Sequence, residues 1–171
     1  EKELVLSGAS SLTIDLWVKY ESSRFDWGHQ LFDTSANYDL SGAITLYYGM
    51  NNEKQSWTFQ QGEKVNDFYM VVQSSANPLA GAEGAWHHLT AVYPKGPYAS
   101  TKLYVDGVDD SHSYRLNTDQ TSQDVQFANG TFYLGGRGGV AKFNGEMDDV
   151  SIVVGTKTAR EVFADHAQQV A

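Results

Sequence analysis

The chain has no cysteine and only three prolines in 171 residues. Without cysteine it has no disulfide, no thiol nucleophile and no cysteine-ligated metal site. No run approaches the 18 consecutive apolar residues that a membrane-spanning helix needs, so we expect no membrane insertion. The chain starts at Glu1 without a basic and apolar leader, and we therefore expect an excised domain or a mature segment.

Positive charge is scarce, with 12 Lys and Arg against 21 Asp and Glu, which gives a net charge of −9. This balance excludes nucleic acid as an expected partner, because phosphates favour a basic face. It also argues against an anionic membrane surface. It is compatible with neutral sugars, with calcium-rich surroundings or with a basic partner, and solubility alone explains the charge equally well.

Aromatic residues (13%) and 16 glycines are abundant, which is typical of a β-rich domain with many turns. The segment from Leu12 to Lys19 alternates apolar and polar side chains, as a strand with one buried face does. Asp106-Gly107 is the best signal for a two-residue hairpin turn. We predict strands at 4–6, 12–19, 30–34, 43–50, 56–61, 67–73, 85–93, 101–105, from 108 onward, 131–134 and 143–154, and a polar connection at 111–124.

Only the C-terminal end has a helical pattern. Thr158 and Glu161 fit a capping box, and we expect Val162, Phe163 and Ala167 to face the body of the protein. Many short strands joined by hairpins and long connections predict two packed antiparallel sheets. We therefore expect an all-β fold, a two-sheet antiparallel β-sandwich of the jelly-roll type with a short C-terminal helix, and a single domain over residues 1–171.

Several segments resemble the laminin-G-like, or concanavalin A-like, lectin/glucanase superfamily. They are S-L-T-I-D-L-W-V-K-Y at 11–20, G-A-W-H-H-L-T-A-V-Y at 84–93 with T-K-L-Y-V-D-G-V at 101–108, and F-Y-L-G-G-R-G-G at 132–139 with F-N-G-E-M-D-D-V-S-I at 143–152. Their order and spacing match the family over nearly the whole chain. The resemblance implies the jelly-roll fold, but it indicates function only weakly, because such domains bind glycans, proteins or cations.

The stretch from Lys142 to Val153 raises the question of catalysis. Glycosidases of this superfamily that resemble laminarinases carry E-x-D-x-x-E on one strand. Glu146 and Asp148 match its first two carboxylates, but Ser151 occupies the position of the last one and cannot serve as a general acid. We therefore do not expect an enzyme, and we assign no catalytic residue.

Members of the superfamily often hold calcium at one rim of the sandwich, and calcium needs six to eight oxygen ligands. The resemblance makes Ca²⁺ the cofactor to be expected, although the spacing of the carboxylates alone does not show a site. Adjacent residues on a strand point to opposite faces, so His87 and His88 cannot share one ion and are expected to be structural. The candidate metal ligands are Asp39, Asp106, Asp148 and Asp149.

Sugar binding needs exposed aromatic rings with planar polar partners beside them. Trp17 and Trp86 lie in motifs that the family uses for core strands, and we expect both to be packed. Aromatic residues in loops are better candidates, because an exposed ring in a loop is unusual without a function. The candidate ligand-binding residues are Trp27, Asn37, Tyr38, Asp39, Tyr98 and Arg137.

We expect a non-catalytic, lectin-like module of a larger exported protein such as a bacterial adhesin, located outside the cell or at its surface. Its expected partner is a glycan, and we expect a monomeric module. A protein- or peptide-binding module and a structural spacer remain as alternatives, and a glycoside hydrolase is the least favoured.

Overall fold

The structure is a computed structural model, and it describes residues 9, 11–21, 29–34, 43–51, 54–63, 68–75, 84–94, 100–116, 132–136 and 142–169. Over these residues the chain forms eleven strands in two antiparallel sheets, followed by one helix. This confirms the predicted β-sandwich with a short C-terminal helix.

The first sheet has five strands in the order β11-β1-β6-β7-β8. The second has six strands in the order β10-β2-β3-β4-β5-β9. In chain order the strands are β1 Leu12–Tyr20, β2 His29–Asp33, β3 Ala43–Asn51, β4 Lys54–Glu63, β5 Phe68–Gln73, β6 Trp86–Tyr93, β7 Lys102–Val105, β8 Val108–Asp109, β9 Ser113–Leu116, β10 Tyr133–Leu134 and β11 Gly145–Val154.

The core lies between the inner faces of the two sheets. The alternation of β1 directs its apolar side chains from Leu12 to Val18 inward, and each is almost fully buried. Trp57, Phe32 and Phe59 supply large buried side chains from the other sheet. Burying an apolar side chain of this size contributes about 1.5–3 kcal/mol, so this core is the main source of stability.

The Asp-Gly hairpin forms as the sequence predicts. Asp106 and Gly107 both have positive φ angles, of 52° and 77°, and they join β7 to β8. Positive φ at both central residues defines the type I′ turn, whose twist matches that of the paired strands.

Helix α1, Ala159–Gln169, packs on the outer face of the five-stranded sheet. The predicted capping box forms, because the Glu161 N–H donates to Thr158 Oγ1 at 3.3 Å and the Thr158 N–H donates to Glu161 Oε2 at 2.7 Å. Val162 is fully buried against Val92 and Tyr104. Within the described residues, no helix is long and apolar enough to span a membrane.

The predicted orientation of the helix was only partly right. Val162 does face the sheet, but Phe163 is 58% exposed and Ala167 is exposed as well. The second inward residue is His166, one helical turn after Val162, and its ring stacks on Trp17 at 5.5 Å between centroids. Phe163 therefore contributes little to docking.

The acidic stretch of β11 lies at an edge of the five-stranded sheet as the structure describes it. Its pairing with β1 shifts register between Asp15 and Trp17, and Asp149 has a φ of 48° at this bulge. Carboxylates and bulges on edge strands discourage pairing with another chain. This structural role explains Glu146, Asp148 and Asp149 without catalysis.

Candidate functional site

The outer face of the six-stranded sheet carries polar side chains in two rows across the strands. In one row, Asp33 lies opposite Thr45, and Thr45 lies opposite Gln60. The other row runs through the pairs Gln30–Tyr47, Tyr47–Thr58 and Thr58–Gln73. We call this surface the polar face, and it consists of Gln30, Asp33, Thr45, Tyr47, Ser56, Thr58, Gln60 and Gln73.

Most side chains of the polar face are buried. Thr45 Oγ1 donates to Asp33 Oδ2 at 3.4 Å, and Gln73 Nε2 donates to Ser56 Oγ at 3.2 Å. A solvated outer face of an antiparallel sheet is ordinarily polar because water contacts it. Here the polar groups are withdrawn from water, which costs free energy unless they are hydrogen-bonded. Simple solvation therefore does not account for this composition.

Two residues of the polar face can contact a ligand. Tyr47 and Gln60 are only partly buried, and they lie on neighbouring strands as diagonal neighbours, with Cβ atoms about 7–8 Å apart. The Gln30 side chain is buried, and its Oε1 has no hydrogen-bond partner in the described part of the chain. The face thus offers an aromatic ring and an amide to a ligand, while the Gln30 acceptor lies beneath the surface.

A second polar cluster lies on the opposite side of the protein, between α1 and the five-stranded sheet. The Asp15 carboxylate on β1 pairs with Lys157 Nζ and with His88 Nε2, the latter at 2.5 Å. Lys157 Nζ also contacts Asp165 Oδ2 on α1 at 2.8 Å. Burial raises the pKa of Asp15, but hydrogen bonds from His88 and Lys157 outweigh it and hold the pKa below its ordinary value.

This cluster serves to dock the helix. The His88 ring packs against Trp17 with centroids 5.1 Å apart and stacks on His166 at 5.7 Å, so the three rings contact one another. The neighbouring pocket measures about 200 Å³, and the Lys157 side chain lines it. This volume lies below the range of about 300–1,000 Å³ for small-molecule sites. We therefore interpret the cluster as structural.

Asp106, a predicted metal ligand, has other partners in the structure. Its Oδ2 pairs with His87 Nδ1 at 2.8 Å, and its Oδ1 accepts the His88 N–H at 2.9 Å. Burial raises the pKa of Asp106, and hydrogen bonds from His87 and His88 lower it further than burial raises it. The carboxylate therefore braces the hairpin, and His87 and His88 have the structural roles that we expected.

Asp148 and Asp149 do not converge with Asp106. Asp148 lies opposite Trp17, Trp17 lies opposite His88, and the Asp106 backbone pairs with that of His88. Three strand spacings, about 14 Å, therefore separate the backbone positions of Asp148 and Asp106. Asp148 Oδ1 accepts the Asp149 N–H at 2.8 Å. Across the described residues, no group of three His, Asp or Glu side chains could hold a metal ion. The described ligands do not fit a shared calcium ion, and the calcium site stays a prediction.

The carboxylates of the glycosidase-like motif lie on the outer face of the five-stranded sheet, away from the polar face. Glu146 Oε1 accepts a hydrogen bond from Lys19 Nζ at 2.6 Å. Ser151 lies opposite Asp15 and lines the pocket beside α1.

The six predicted ligand-binding residues cannot be placed, because they lie outside the described part of the chain. They are Trp27, Asn37, Tyr38, Asp39, Tyr98 and Arg137.

Trp86, which we expected to be packed, is instead 41% exposed. Tyr47 escaped notice because it lies inside a strand, and only its register with Gln30 and Thr58 reveals its surroundings.

Comparison with known protein families gives one match. The family described as the concanavalin A-like lectin/glucanases superfamily matches residues 2–163. No curated protein matches the chain.

Solved structures with the same fold include domains that bind sugars. The CBM40 domain of the Ruminococcus gnavus IT-sialidase, bound to α2,3 sialyllactose, is 12% identical with a TM-score of 0.61, covering 92% of this chain and 83% of that domain. A Bacteroides ovatus ATCC 8483 protein to which carbohydrate binding is ascribed is 15% identical with a TM-score of 0.59, covering 95% of this chain.

Botulinum neurotoxin type C, whose cell entry depends on two ganglioside molecules, is 11% identical with a TM-score of 0.64, covering 95% of this chain. The chain spans 42% of the Bacteroides ovatus protein and 36% of the neurotoxin chain. At these identities the likeness concerns the fold.

Proposed function

Because the chain belongs to the concanavalin A-like lectin/glucanases superfamily, we propose that it is a non-catalytic carbohydrate-binding module that binds a glycan on its polar face at the partly exposed Tyr47 and Gln60. The observation that carries this proposal is the pair of polar rows on the six-stranded sheet, with Tyr47 at their centre.

The chemistry of the polar face suits a sugar. A sugar ring has an apolar C–H face that packs on an aromatic ring, and hydroxyl groups that need acceptors and donors. Tyr47 offers the ring, and Gln60 offers both amide functions. The buried row of Asp33 and Thr45 fixes the neighbouring groups and so preorganises the surface.

Two observations support a non-catalytic role. A glycosidase needs two carboxyl groups, one on each side of the scissile bond. Ser151 replaces the second carboxylate of the motif, and Glu146 is paired with Lys19 on the sheet opposite the polar face. We therefore place binding and the acidic strand on different faces of the protein.

We further propose that the module belongs to a larger exported protein such as a bacterial adhesin. The structural neighbours support this part, since they include a domain of a sialidase and a toxin whose cell entry depends on gangliosides. The chain spans less than half of two of the neighbours, which is consistent with one module among several.

A glycan array with the wild-type domain tests the proposed function. The Tyr47→Ala variant should lose binding at least tenfold, because it removes the ring on which the sugar stacks, whereas Tyr47→Phe should retain most of it. Trp86→Ala is the matched control, since Trp86 is an exposed aromatic on the other sheet. If Trp86→Ala loses binding and Tyr47→Ala does not, the site lies on the five-stranded sheet and the proposal is wrong.

An array without signal for every glycan would refute the carbohydrate proposal and leave the protein-binding and spacer alternatives. The same array with a chelator tests calcium assistance. A calcium ion would raise the melting temperature, because a ligand that binds only the native state stabilises it. A melting temperature that millimolar calcium leaves unchanged would contradict the calcium site.

A further inference from the structure

We propose that Asn144 is a modification site, at which the side-chain amide converts without an enzyme to a carboxylate through a cyclic imide formed with the Gly145 nitrogen. Asn144 directly precedes β11, which begins at Gly145 and belongs to the sheet opposite the polar face. The modification is therefore independent of glycan binding.

The Asn144 side chain is available for this reaction. It is exposed, and its amide has no hydrogen-bond partner in the described part of the chain. An amide that nothing holds can rotate until its carbon faces the nitrogen of the next residue. The electrophile is thus accessible and free to turn.

The Gly145 nitrogen is equally accessible. The Glu21 N–H donates to Asn144 O at 3.1 Å, which makes Tyr20 and Gly145 a non-hydrogen-bonded pair of the antiparallel ladder. The Gly145 N–H consequently points away from β1. Since β11 lies at the edge of its sheet as the structure describes it, no described strand accepts this N–H.

The fold itself requires glycine at position 145. A Cβ there would collide with the Lys19 carbonyl oxygen and would lie 2.9 Å from the Phe143 ring. A residue without a Cβ also leaves its nitrogen unshielded, which favours ring closure. The close approach of β11 to β1 therefore imposes the residue that makes Asn144 reactive.

The turn Asp106-Gly107 can form the same kind of ring, but the structure protects it. Asp106 Oδ2 pairs with His87 Nδ1 at 2.8 Å, and Oδ1 accepts the His88 N–H at 2.9 Å. A carboxylate fixed at both oxygens cannot turn towards the Gly107 nitrogen. This turn is an internal control, since it differs from Asn144-Gly145 in how the side chain is held.

The reaction needs only water. The Gly145 nitrogen bonds to Asn144 Cγ, the bond from Cγ to Nδ2 breaks, and Nδ2 leaves as ammonia with the proton from Gly145. Water then opens the imide at either carbonyl and gives aspartate or isoaspartate. The bond between the Glu21 N–H and Asn144 O must open first, and the end rung of an edge strand opens at little cost.

The products change the start of β11. Isoaspartate adds a methylene to the backbone where Gly145 packs closely on Lys19. The new carboxylate also lies beside Glu21 and Glu146, which already share Lys19 Nζ at 3.8 and 2.6 Å. We therefore expect the modified chain to lose the rung between Glu21 and Asn144 and to be less stable, with the polar face intact.

Incubation of the domain at mildly alkaline pH and body temperature, followed by peptide mass spectrometry and an isoaspartate methyltransferase assay, tests the site. Aspartate and isoaspartate should accumulate at Asn144 and not at Asp106. The modified fraction should melt about 2–4 °C lower. Asn129-Gly130, which lies outside the described residues, is measured on its own peptide.

Asn144→Gln is the matched variant, because a glutamine would have to close a larger and slower ring. Conversion at this position should fall at least about tenfold, since ring closure depends on the reacting atoms meeting in the right geometry. An Asn144 that stays unmodified in the folded domain, whether or not it reacts in urea, would overturn the proposal. Equal conversion at Asp106 would refute the role assigned to the free amide.

Discussion

Replacing Asp15 with Asn tests the interpretation of the helix-docking cluster most sharply. The Asp15 side chain is 7% exposed, and it holds Lys157 and His88, the latter only 3% exposed. Removing one partner of a buried ion pair costs about 3–5 kcal/mol, because the other charge stays buried without compensation. Lys157 is 23% exposed and keeps Asp165, so we expect the lower end of this range, about 3 kcal/mol.

Urea denaturation followed by tryptophan fluorescence measures this loss, and the melting temperature should fall by about 6–12 °C. Lys102→Met is the matched control, because Lys102 pairs with Asp109 at 3.0 Å but both side chains are about 40% exposed. Exposed pairs contribute less than about 1 kcal/mol. If Asp15→Asn costs no more than this control, the cluster does not dock the helix.

Three further predictions concern the same region. Val162→Ala should lower the free energy of unfolding by about 2 kcal/mol in urea denaturation, because Val162 is fully buried. Phe163→Ala should lower it by less than about 0.5 kcal/mol, because Phe163 is exposed. Equal losses would contradict the observed orientation of the helix. Gly107→Ala should destabilise the protein more than Gly84→Ala. Both glycines have positive φ, but only a Cβ at Gly107 would lie close to another side chain, 3.3 Å from His166. A smaller loss of stability at Gly107 would be inconsistent with this contact. The pKa of Asp15 is lowered in the folded state, so its carboxylate stabilises the protein fully above the unfolded pKa near 3.9. This stabilisation is lost as the pH falls further. Asp15→Asn should therefore flatten the acid limb of a profile of stability against pH.

Much of the sheet structure could be predicted from local patterns. The alternation from Leu12 to Lys19 and the Asp106-Gly107 turn are local signals, and both appear in the structure. Strand β9 was missed, because Ser113–Leu116 lies within a polar segment and gains its strand partner from β5, some forty residues earlier. Pairing over such a distance leaves no local pattern in the sequence.

The helix shows how tertiary packing overrides a hydrophobic rule. A rule that buries the larger apolar side chain selects Phe163, but the periodicity from Val162 brings His166 onto Trp17 instead. A histidine gives no apolar signal, although its ring packs as an aromatic does.

The candidate site was the least predictable part. The polar face depends on the register among β2, β3, β4 and β5, which places Gln30, Tyr47, Thr58 and Gln73 side by side. Each of these residues is unremarkable in the sequence. Sequence reasoning favoured aromatic residues in loops instead, and that hypothesis is still to be tested.

The location of glycan binding is the central claim, and an NMR titration tests it most directly. The ¹⁵N-labelled domain would be titrated with the neutral glycan that binds best on the array, and amide shifts would be mapped onto the two sheets. We predict the largest shifts around Tyr47 on β3 and around Gln60 on β4, with β1, β11 and α1 unchanged. Shifts confined to the five-stranded sheet, around Trp86 or Glu146, would contradict the account.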